Sequence, residues 1–428
     1  MKPQPKNQTQ SIENEGRVKN FQDLKNFIRV GDDYYKRVMQ PDKRGKQCPV
    51  YLKRTKSTII DDYGKPSLEY IKKYEGFVCV PSHTNFQEEI NGFFNEYAKL
   101  SYSPKEGEFK HILILIRHIF GENHVEFALD YLQLLYTKPT QRLPILLLES
   151  KERGTGKSTF GNLVSAMFED NAVKLGNSDF ESDFNAIWIK RLAIIVDETS
   201  LDKRGIMQMI KRLSTETGKT TSNEKNKSQV QIDFIGKFFF MSNDEGKALP
   251  IEKGETRFAV FKVPTFQEKG IEEIMDMEVR IQSEIPAFVH YLNNRKLYHS
   301  EQSRMYFGFD VYQTDQLRLY FENSISPLAK AVKNLVRDTF LHFPEVDELK
   351  FTLRHIQQQL KDSIRGGLER ERIRKAIEEE LGIKQSEKQR FTYYNLLMSE
   401  LNPDFPPLHN GENSRPYIFK RDKFKNLE

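Results

Sequence analysis

The sequence of 428 residues is poor in cysteine and has no long apolar run. Its two cysteines, Cys48 and Cys79, lie far apart and form no CxxC pair, which argues against a zinc site and favours a reducing cytoplasm. No apolar run approaches the roughly 18 residues of a membrane-spanning helix, so we expect no membrane contact. The polar stretch of residues 1–20 lacks the apolar core of a secretory signal.

A strong excess of either charge is missing as well. The 66 basic and 61 acidic residues leave a net charge of +5. Such a weak basic balance suits an anionic partner but is also common on solvated surfaces, so nucleic-acid binding must be argued from where the basic residues lie. The chain is long enough for two or three domains with ample core.

Polar, strand-like and helical patterns divide the chain into five expected segments. In the second segment, strand-like stretches such as FIRV, YYKRV, PVYLKR and STIID are separated by Gly, Pro and Asp. Its tyrosines could stack on nucleic-acid bases, but aromatics in a small β-rich region are more often core. In chain order, the segments are a disordered tail (1–20), a small β-rich accessory region (21–90), a helical bundle (91–140), an α/β core domain (141–298) and a helical C-terminal domain compatible with a winged helix (299–428).

The expected helical bundle contains the patterns HILILIRHIFG and VEFALDYLQLLYT, in which apolar residues recur at helical spacing. It also carries His111, His118 and His124. These histidines have no carboxylate-rich partner set, so we interpret them as ordinary helix residues rather than metal ligands.

Residues 143–168, LPILLLESKERGTGKSTFGNLVSAMF, read as strand, loop and helix. Ile145 to Leu148 is an unbroken apolar run, typical of a strand buried on both faces of a parallel sheet. This order predicts a P-loop, in which backbone N–H groups and the start of the helix bind phosphate. The residues expected to bind the nucleotide are Arg153, Gly154, Thr155, Gly156, Lys157, Ser158 and Thr159.

Two residues of this loop have specific expected roles. Lys157 should reach the β- and γ-phosphates of ATP, and the Ser158 hydroxyl should hold Mg2+. The loop departs from the pattern G-x-x-x-x-G-K-[ST] in one place, since Lys151 stands where the first glycine is usual. A chance GTGKST on a surface loop is the alternative, but the strand before it and the helix after it favour the P-loop.

A second apolar run, Leu192 to Val196, ends at the acidic pair Asp197 and Glu198. An acidic pair at the carboxyl end of a parallel strand is the Walker B arrangement of P-loop enzymes. We expect Asp197 to bind Mg2+ beside Ser158, and Glu198 to orient and deprotonate the attacking water. Solvated acids at a strand end are the alternative, which would be preferred if no P-loop preceded them.

A third apolar run, Phe238 to Met241, brings Asn243 to the same edge of the sheet. Its side chain can hydrogen-bond the γ-phosphate or the attacking water. Farther along, Arg257 is expected to face the nucleotide of a neighbouring subunit and to stabilise charge on the transferred phosphoryl group. A surface salt bridge is the alternative for Arg257, and Arg204 and Arg212 are rivals for the same role.

A basic loop lies between the second and third runs. Polar and apolar residues alternate from Gln229 to Ile235, which indicates that the loop is the tip of a β-hairpin. Its lysines, Lys219, Lys225 and Lys227, stand among small polar residues and suit contacts to a nucleic-acid backbone that ignore base sequence. A solvated loop is equally compatible with the charge alone.

Together, these motifs and the helical bundle ahead of them resemble superfamily 3 helicases. The likeness is greatest to the helicase part of phage and plasmid primase-helicases, including those joined to primase-polymerases. It rests on FIRVGDDYYKRV, on LDYLQLLYTKPTQRLPILLLESKERGTGKSTF and on FFFMSND followed by ETRF, within roughly residues 20–300. The N-terminal hundred residues show no primase signature, so a primase or polymerase would be a separate partner.

This resemblance implies an AAA+-like P-loop NTPase that forms a ring, most simply a homo-hexamer. Such a ring moves along single-stranded DNA, with ATP and Mg2+ at subunit interfaces. The basic loop would face its central pore.

Three functions compete. The first is an ATP-dependent replicative DNA helicase of a phage, plasmid or other mobile element, acting in the cytoplasm. The second is a non-unwinding ATPase that acts as a replication initiator or loader, which would share every motif. The third, a small-molecule kinase, would need an arginine-rich lid, and the pair Asp197-Glu198 favours activation of water instead.

Overall fold

The computed structural model describes residues 23–41, 45, 47–182, 184–197, 204–215, 218–223, 229–267, 277–361, 369–396 and 413–424. The chain divides into two compact units. The first comprises Met1–Thr199, Gly205–Asn243 and Phe261–Tyr312. The second comprises Ser200–Arg204, Asp244–Val260 and Gln313–Glu428.

A four-stranded sheet forms near the N-terminus of the first unit. Its strands are β1 (Phe27–Val30), β2 (Asp33–Pro41), β3 (Gln47–Arg54) and β4 (Lys72–Tyr74). They lie in the order β3-β2-β1-β4, and β1 pairs antiparallel with β2 and parallel with β4. Tyr34 and Tyr63 pack in one small core of this region, and Tyr35 and Tyr51 pack against a second. The tyrosines therefore contribute to packing, as the core interpretation expects.

The segment STIID, expected to be a strand, belongs instead to the helix Lys56–Tyr63. Thr55 caps this helix, because its Oγ1 accepts a hydrogen bond of 3.1 Å from the backbone N–H of Thr58. Gly64 ends the helix with a φ of +80°. Ile59 then faces the small core and is buried. Capping and burial of one side chain outweigh the strand preference of the β-branched residues.

A three-stranded sheet and two helices follow. The strands are β5 (Phe77–Val78), β6 (Glu89–Ile90) and β7 (Phe93–Asn95), in the order β5-β7-β6. The helices are Lys110–Phe120 and Val125–Thr137. The expected helical bundle thus begins at Lys110 and not near residue 91, since Pro104 and Gly107 precede it and disfavour a helix.

The largest sheet among the described residues has five strands. Its strands are β8 (Ile145–Glu149), β9 (Ala172–Leu175), β10 (Ala193–Val196), β13 (Lys237–Ser242) and β14 (Phe258–Lys262). A separate hairpin of β11 (Lys219–Ser222) and β12 (Val230–Asp233) lies between β10 and β13 in sequence. The sheet order is β14-β8-β13-β10-β9, and the pairs β8–β13, β13–β10 and β10–β9 are parallel. Strands β8, β10 and β13 are buried along their whole length, which confirms a mixed α/β fold with a parallel sheet.

The helix Lys157–Phe168 packs on β9, β10 and β13, and the short helix Asn177–Glu181 packs on β9. The helix Met277–Asn294 packs against the helices Lys110–Phe120, Val125–Thr137 and Lys157–Phe168, and a further helix spans Arg204–Leu213. Gly161, in the helix Lys157–Phe168, lies so close to the sheet that a Cβ atom there would be 2.5 Å from the Met241 side chain. The helix after the P-loop therefore packs tightly on β13. Among the described helices, none is long and apolar enough to cross a membrane.

The C-terminal part of the second unit has its own apolar core. Its helices are Asp315–Asn323, Pro327–His342, Leu353–Gln359 and Arg370–Lys375, the last continuing as a π-helix over Ala376–Glu380. Its strands are β15 (Glu348–Phe351), β16 (Gln389–Arg390), β17 (Asn413–Ser414) and β18 (Tyr417–Lys420). β15 pairs antiparallel with β18, and β16 with β17.

The stretch FTYYNLLMSEL of this unit, expected to be helical, begins without a helix. Phe391 and Tyr393 are buried in the apolar core, and Thr392 between them is less so. Two buried side chains on either side of a less buried one suit extended chain, in which successive side chains point to opposite sides. Residues 397–401 of this stretch lie outside the described part of the chain.

Candidate nucleotide-binding site

The P-loop turns at two glycines and then enters a helix. Gly154 has a φ of +66° and Gly156 a φ of +88°, values that side chains disfavour. At Gly156 there is a second restriction, because a Cβ atom would lie 2.7 Å from Cζ of Phe266. The helix Lys157–Phe168 starts directly after Gly156. The loop therefore presents the first N–H groups of the helix at the carboxyl end of β8, as a phosphate-binding loop requires.

Lys151, which occupies the place of the usual first glycine, needs no unusual backbone. Among the described residues, only Asn91, Glu169 and Tyr306 combine a side chain with positive φ, and Lys151 is not one of them. Its side chain is exposed. The departure from the motif is therefore compatible with the fold of the loop.

The Lys157 side chain folds back over the loop. Its ammonium donates hydrogen bonds to Oγ1 of Thr155 at 3.1 Å and to the carbonyl of Glu152 at 3.3 Å. Burial lowers the pKa of Lys157 below its ordinary value, and the negative charges of Asp197 and Glu149 oppose that shift. A buried ammonium held near the loop can offset the charge of a phosphate group.

The predicted Mg2+ ligands meet directly. The hydroxyl of Ser158 donates a hydrogen bond of 3.0 Å to Oδ2 of Asp197. Asp197 follows the last residue of β10, and Ser158 lies in the first turn of the helix after the P-loop. A hydroxyl and a carboxylate this close are hard oxygen ligands of the kind that Mg2+ uses together with phosphate oxygens. The donor set therefore fits that ion.

Asn243 reaches the same place because β13 lies between β8 and β10 in the sheet. The parallel pairing of the three strands brings their carboxyl ends to one edge. A cavity of about 250 Å³ opens there. It is lined by Arg153, Gly154, Thr155, Gly156, Lys157, Ser158, Thr159, Asp197, Met241, Ser242 and Asn243.

The other predicted site residues are not among the described residues that line this cavity. Glu198, Lys225 and Lys227 lie outside the described residues, so their roles stay predictions. Lys219 is exposed on β11, opposite Asp233 of β12, in the antiparallel hairpin that the sequence predicted.

Arg257 belongs to the second unit and is ion-paired there. Its Nη1 donates to both carboxylate oxygens of Glu255, at 2.7 and 2.8 Å. Within a single chain, this pairing matches the salt-bridge alternative. Of its rivals, Arg212 is exposed at the end of the helix Arg204–Leu213. The role of a catalytic arginine stays a prediction.

One residue at this site was missed by the sequence interpretation. His118 is a helix residue, as the sequence indicates, and in addition its Nε2 lies 3.0 Å from the carbonyl oxygen of Thr155 in the P-loop. No local signal could reveal this contact, since 37 positions separate the two residues. It arises only when the helix Lys110–Phe120 packs behind the loop.

Comparison with known proteins agrees with this fold. A family of unknown function, DUF5906, matches residues 148–257. No curated protein matches the chain. The apo structure of the NrS-1 C-terminal region, residues 305–718, superposes with a TM-score of 0.58 at 16% identity, covering 91% of this chain and 95% of that one. A second structure of that region, its A form, gives a TM-score of 0.60 at 15% identity with the same coverage.

A more distant match is JCV helicase bound to a small molecule. Its TM-score is 0.32 at 10% identity, over 53% of this chain and 64% of that one. This similarity is too low to carry an argument. At their low identity, the two NrS-1 structures show that the chain shares their fold, and they leave its chemistry to be argued from the site.

Proposed function

We propose that this protein is an ATP-dependent replicative DNA helicase that moves along single-stranded DNA. The observation that carries the proposal is the hydrogen bond of 3.0 Å between Ser158 and Asp197 at the mouth of the P-loop cavity. It joins the two expected Mg2+ ligands within reach of Lys157 and Asn243, which line the same cavity. Such a constellation suits hydrolysis of a nucleoside triphosphate.

Each residue has a part in that reaction. Lys157 offsets phosphate charge, and backbone N–H groups of the loop from Arg153 to Thr159 bind phosphate oxygens. Ser158 and Asp197 would hold Mg2+, which would supply positive charge to offset that of the phosphates. Glu198 takes a proton from the attacking water, and Asn243 orients that water or the γ-phosphate.

A helicase needs two features besides this ATPase centre, namely contacts to DNA and assembly into a ring. The hairpin of β11 and β12 would carry Lys219, Lys225 and Lys227 to the phosphate backbone of single-stranded DNA. Arg257 would complete the site of a neighbouring subunit in a homo-hexamer. The resemblance to superfamily 3 supports both, and it suggests a phage or other mobile element with a separate primase or polymerase as partner.

The C-terminal part of the second unit supports a further element of the proposal, a winged helix. From Pro327 to Lys420, the described elements follow as helix, strand, two helices and three strands, of which β16 pairs with β17 and β18 pairs with β15. A winged-helix module would have this order of elements, with its first strand paired to its last, as β15 is paired to β18. Such a module would provide a second DNA contact.

A non-unwinding loader or initiator is the second candidate, since it would use the same ATPase centre. The two functions differ in whether hydrolysis separates strands. We expect single-stranded DNA to stimulate hydrolysis by the wild-type protein, and a forked duplex to be unwound.

Substitution of the P-loop lysine tests this function. Lys157→Ala should abolish hydrolysis and unwinding together, because only hydrolysis drives strand separation, whereas the exposed Lys99→Ala should leave both unchanged. A steady-state ATPase assay measures hydrolysis, and a forked DNA duplex measures unwinding. Electron microscopy shows whether the protein has assembled into rings. Hydrolysis by an assembled ring that leaves forks intact would favour the loader.

A further inference from the structure

The helix Lys110–Phe120 contributes one buried polar side chain to the back of the P-loop. His118 is only 3% exposed, and its Nε2 is 3.0 Å from the carbonyl oxygen of Thr155. A carbonyl only accepts hydrogen bonds, so Nε2 carries the proton in this contact. The histidine therefore belongs to the structure of the loop, although it lies far from it in sequence.

The ring of His118 is itself held in place. It stacks on Phe266 with centroids 4.2 Å apart and an interplanar angle of 12°. Phe266 in turn lies against Gly156, where an added Cβ would come within 2.7 Å of its ring. Two aromatic rings thus form a fixed backing for the peptide between Thr155 and Gly156.

That peptide needs such support. It lies next to Gly154 and ends at Gly156, both with positive φ, and glycine restricts backbone rotation least. In a planar trans peptide, the C=O of one residue and the N–H of the next point in opposite directions. Whatever holds the Thr155 carbonyl on the His118 side therefore directs the Gly156 N–H toward the opposite side, where the phosphate cavity lies.

We propose that His118 is a positioning residue for nucleotide binding, which keeps the Gly156 N–H directed at the phosphate by holding the Thr155 carbonyl. This inference rests on the proposed ATPase function. It also explains how a P-loop with Lys151 in place of its first glycine keeps one conformation. The phosphate-binding peptide is held from outside the motif, by a helix that precedes β8.

Two substitutions at His118 separate the hydrogen bond from the packing. His118→Phe keeps a flat ring against Phe266 but cannot donate, so the Thr155 carbonyl loses its partner. His118→Gln gives up the ring but places an amide N–H near the position of Nε2. His124→Phe is the matched control, since that histidine lies just beyond the same helix and packs edge-on against Phe261, away from the P-loop.

Affinity for ADP and for a non-hydrolysable ATP analogue should be measured by calorimetry on the full chain. We expect His118→Phe to raise Kd about tenfold and to raise KM more than it lowers kcat, because a lost hydrogen bond of this kind weakens phosphate binding. His118→Gln should stay within about threefold of wild type, and the control should be unchanged. The amide resonance of Gly156 should shift on ADP binding in the wild type and in the Gln variant, and much less in the Phe variant.

The outcomes distinguish a failure of the proposed function from a failure of the positioning role of His118. If the wild-type protein binds no nucleotide, the proposed function itself fails. If it binds nucleotide and His118→Phe binds equally well, or the Gln and Phe variants are impaired alike, the positioning role is wrong. If His118→Phe does not fold, His118→Asn replaces it in the test. The shorter Asn amide cannot reach the Thr155 carbonyl, so the Gly156 amide resonance of this variant should also shift much less on ADP binding.

Discussion

Lys237 shows how one residue can carry an unfavourable charge inside the sheet. It begins β13 and is buried, and its ammonium donates hydrogen bonds to the carbonyl of Ile235, at 2.8 Å, and to that of Pro139. Burial lowers the pKa of Lys237 to about 7. Two carbonyl partners satisfy the donor without neutralising its charge, so this residue makes stability depend on pH.

The sign of that dependence follows from proton binding. In the window from about pH 7 to about pH 10, the unfolded chain keeps the proton on this lysine while the folded chain has released it. The free energy of unfolding should therefore rise with pH, by at most about 1.4 kcal/mol per pH unit from this group. Lys237→Met should be more stable at neutral pH and should lose this slope, as measured by urea unfolding. The exposed Lys296→Met should keep it, and equal slopes in all three proteins would contradict the assignment.

At the scale of elements, the order of the strands assembles the candidate site. β13 lies between β8 and β10, so residues from three distant parts of the sequence meet at one edge. The hairpin of β11 and β12 lies between β10 and β13 in sequence, which ties a candidate DNA element to the strands that carry Asp197 and Asn243.

The lysines of that hairpin give a prediction of their own. Neutralising Lys225 and Lys227 should weaken binding to single-stranded DNA and reduce the salt dependence of the binding constant by about 1.4 in log–log slope, because two phosphate contacts are lost. ATP hydrolysis without DNA should be unchanged. Fluorescence anisotropy over a range of salt concentrations measures both effects. The exposed pair Lys65 and Lys99 is the control, and an unchanged slope in the Lys225/Lys227 variant would identify the loop as merely solvated.

At the scale of the whole molecule, Arg257 can act within its own chain or on a neighbouring subunit. Its bidentate pairing with Glu255 holds the guanidinium in one orientation within the chain. That pairing is compatible with a structural role and with an arginine oriented for a neighbouring subunit. The two roles differ in which subunit loses activity when Arg257 is removed.

Mixing two inactive proteins separates these roles. Lys157→Ala disables its own ATP site but keeps Arg257, and Arg257→Ala has the opposite defect. In equal, random mixtures, about a quarter of the subunit interfaces should combine an intact site with an intact arginine, so ATPase activity should recover to about a quarter of wild type. Mixtures of Lys157→Ala with Ser158→Ala should stay inactive, because both changes affect the same site. No recovery in the first mixture would exclude action on the neighbour.

Local patterns were enough to predict the P-loop and the three buried strands that surround it. Apolar runs at Ile145–Leu148, Leu192–Val196 and Phe238–Met241 became β8, β10 and β13, because a strand buried on both faces needs continuous apolar sequence. The meeting of Lys157 with Asp197 also follows, since parallel strands share a carboxyl edge. These features depend on residues close together in sequence.

What only the tertiary structure decided depends on contacts between distant residues. The helix at STIID and the extended chain at Phe391 follow from which side chains the neighbouring elements bury, against the local pattern. The contact of His118 with Thr155 follows from the packing of one helix behind the P-loop. The amino-acid sequence by itself determined the strand, loop and helix of residues 145–168, and the packing around that loop decided which distant side chains contact it.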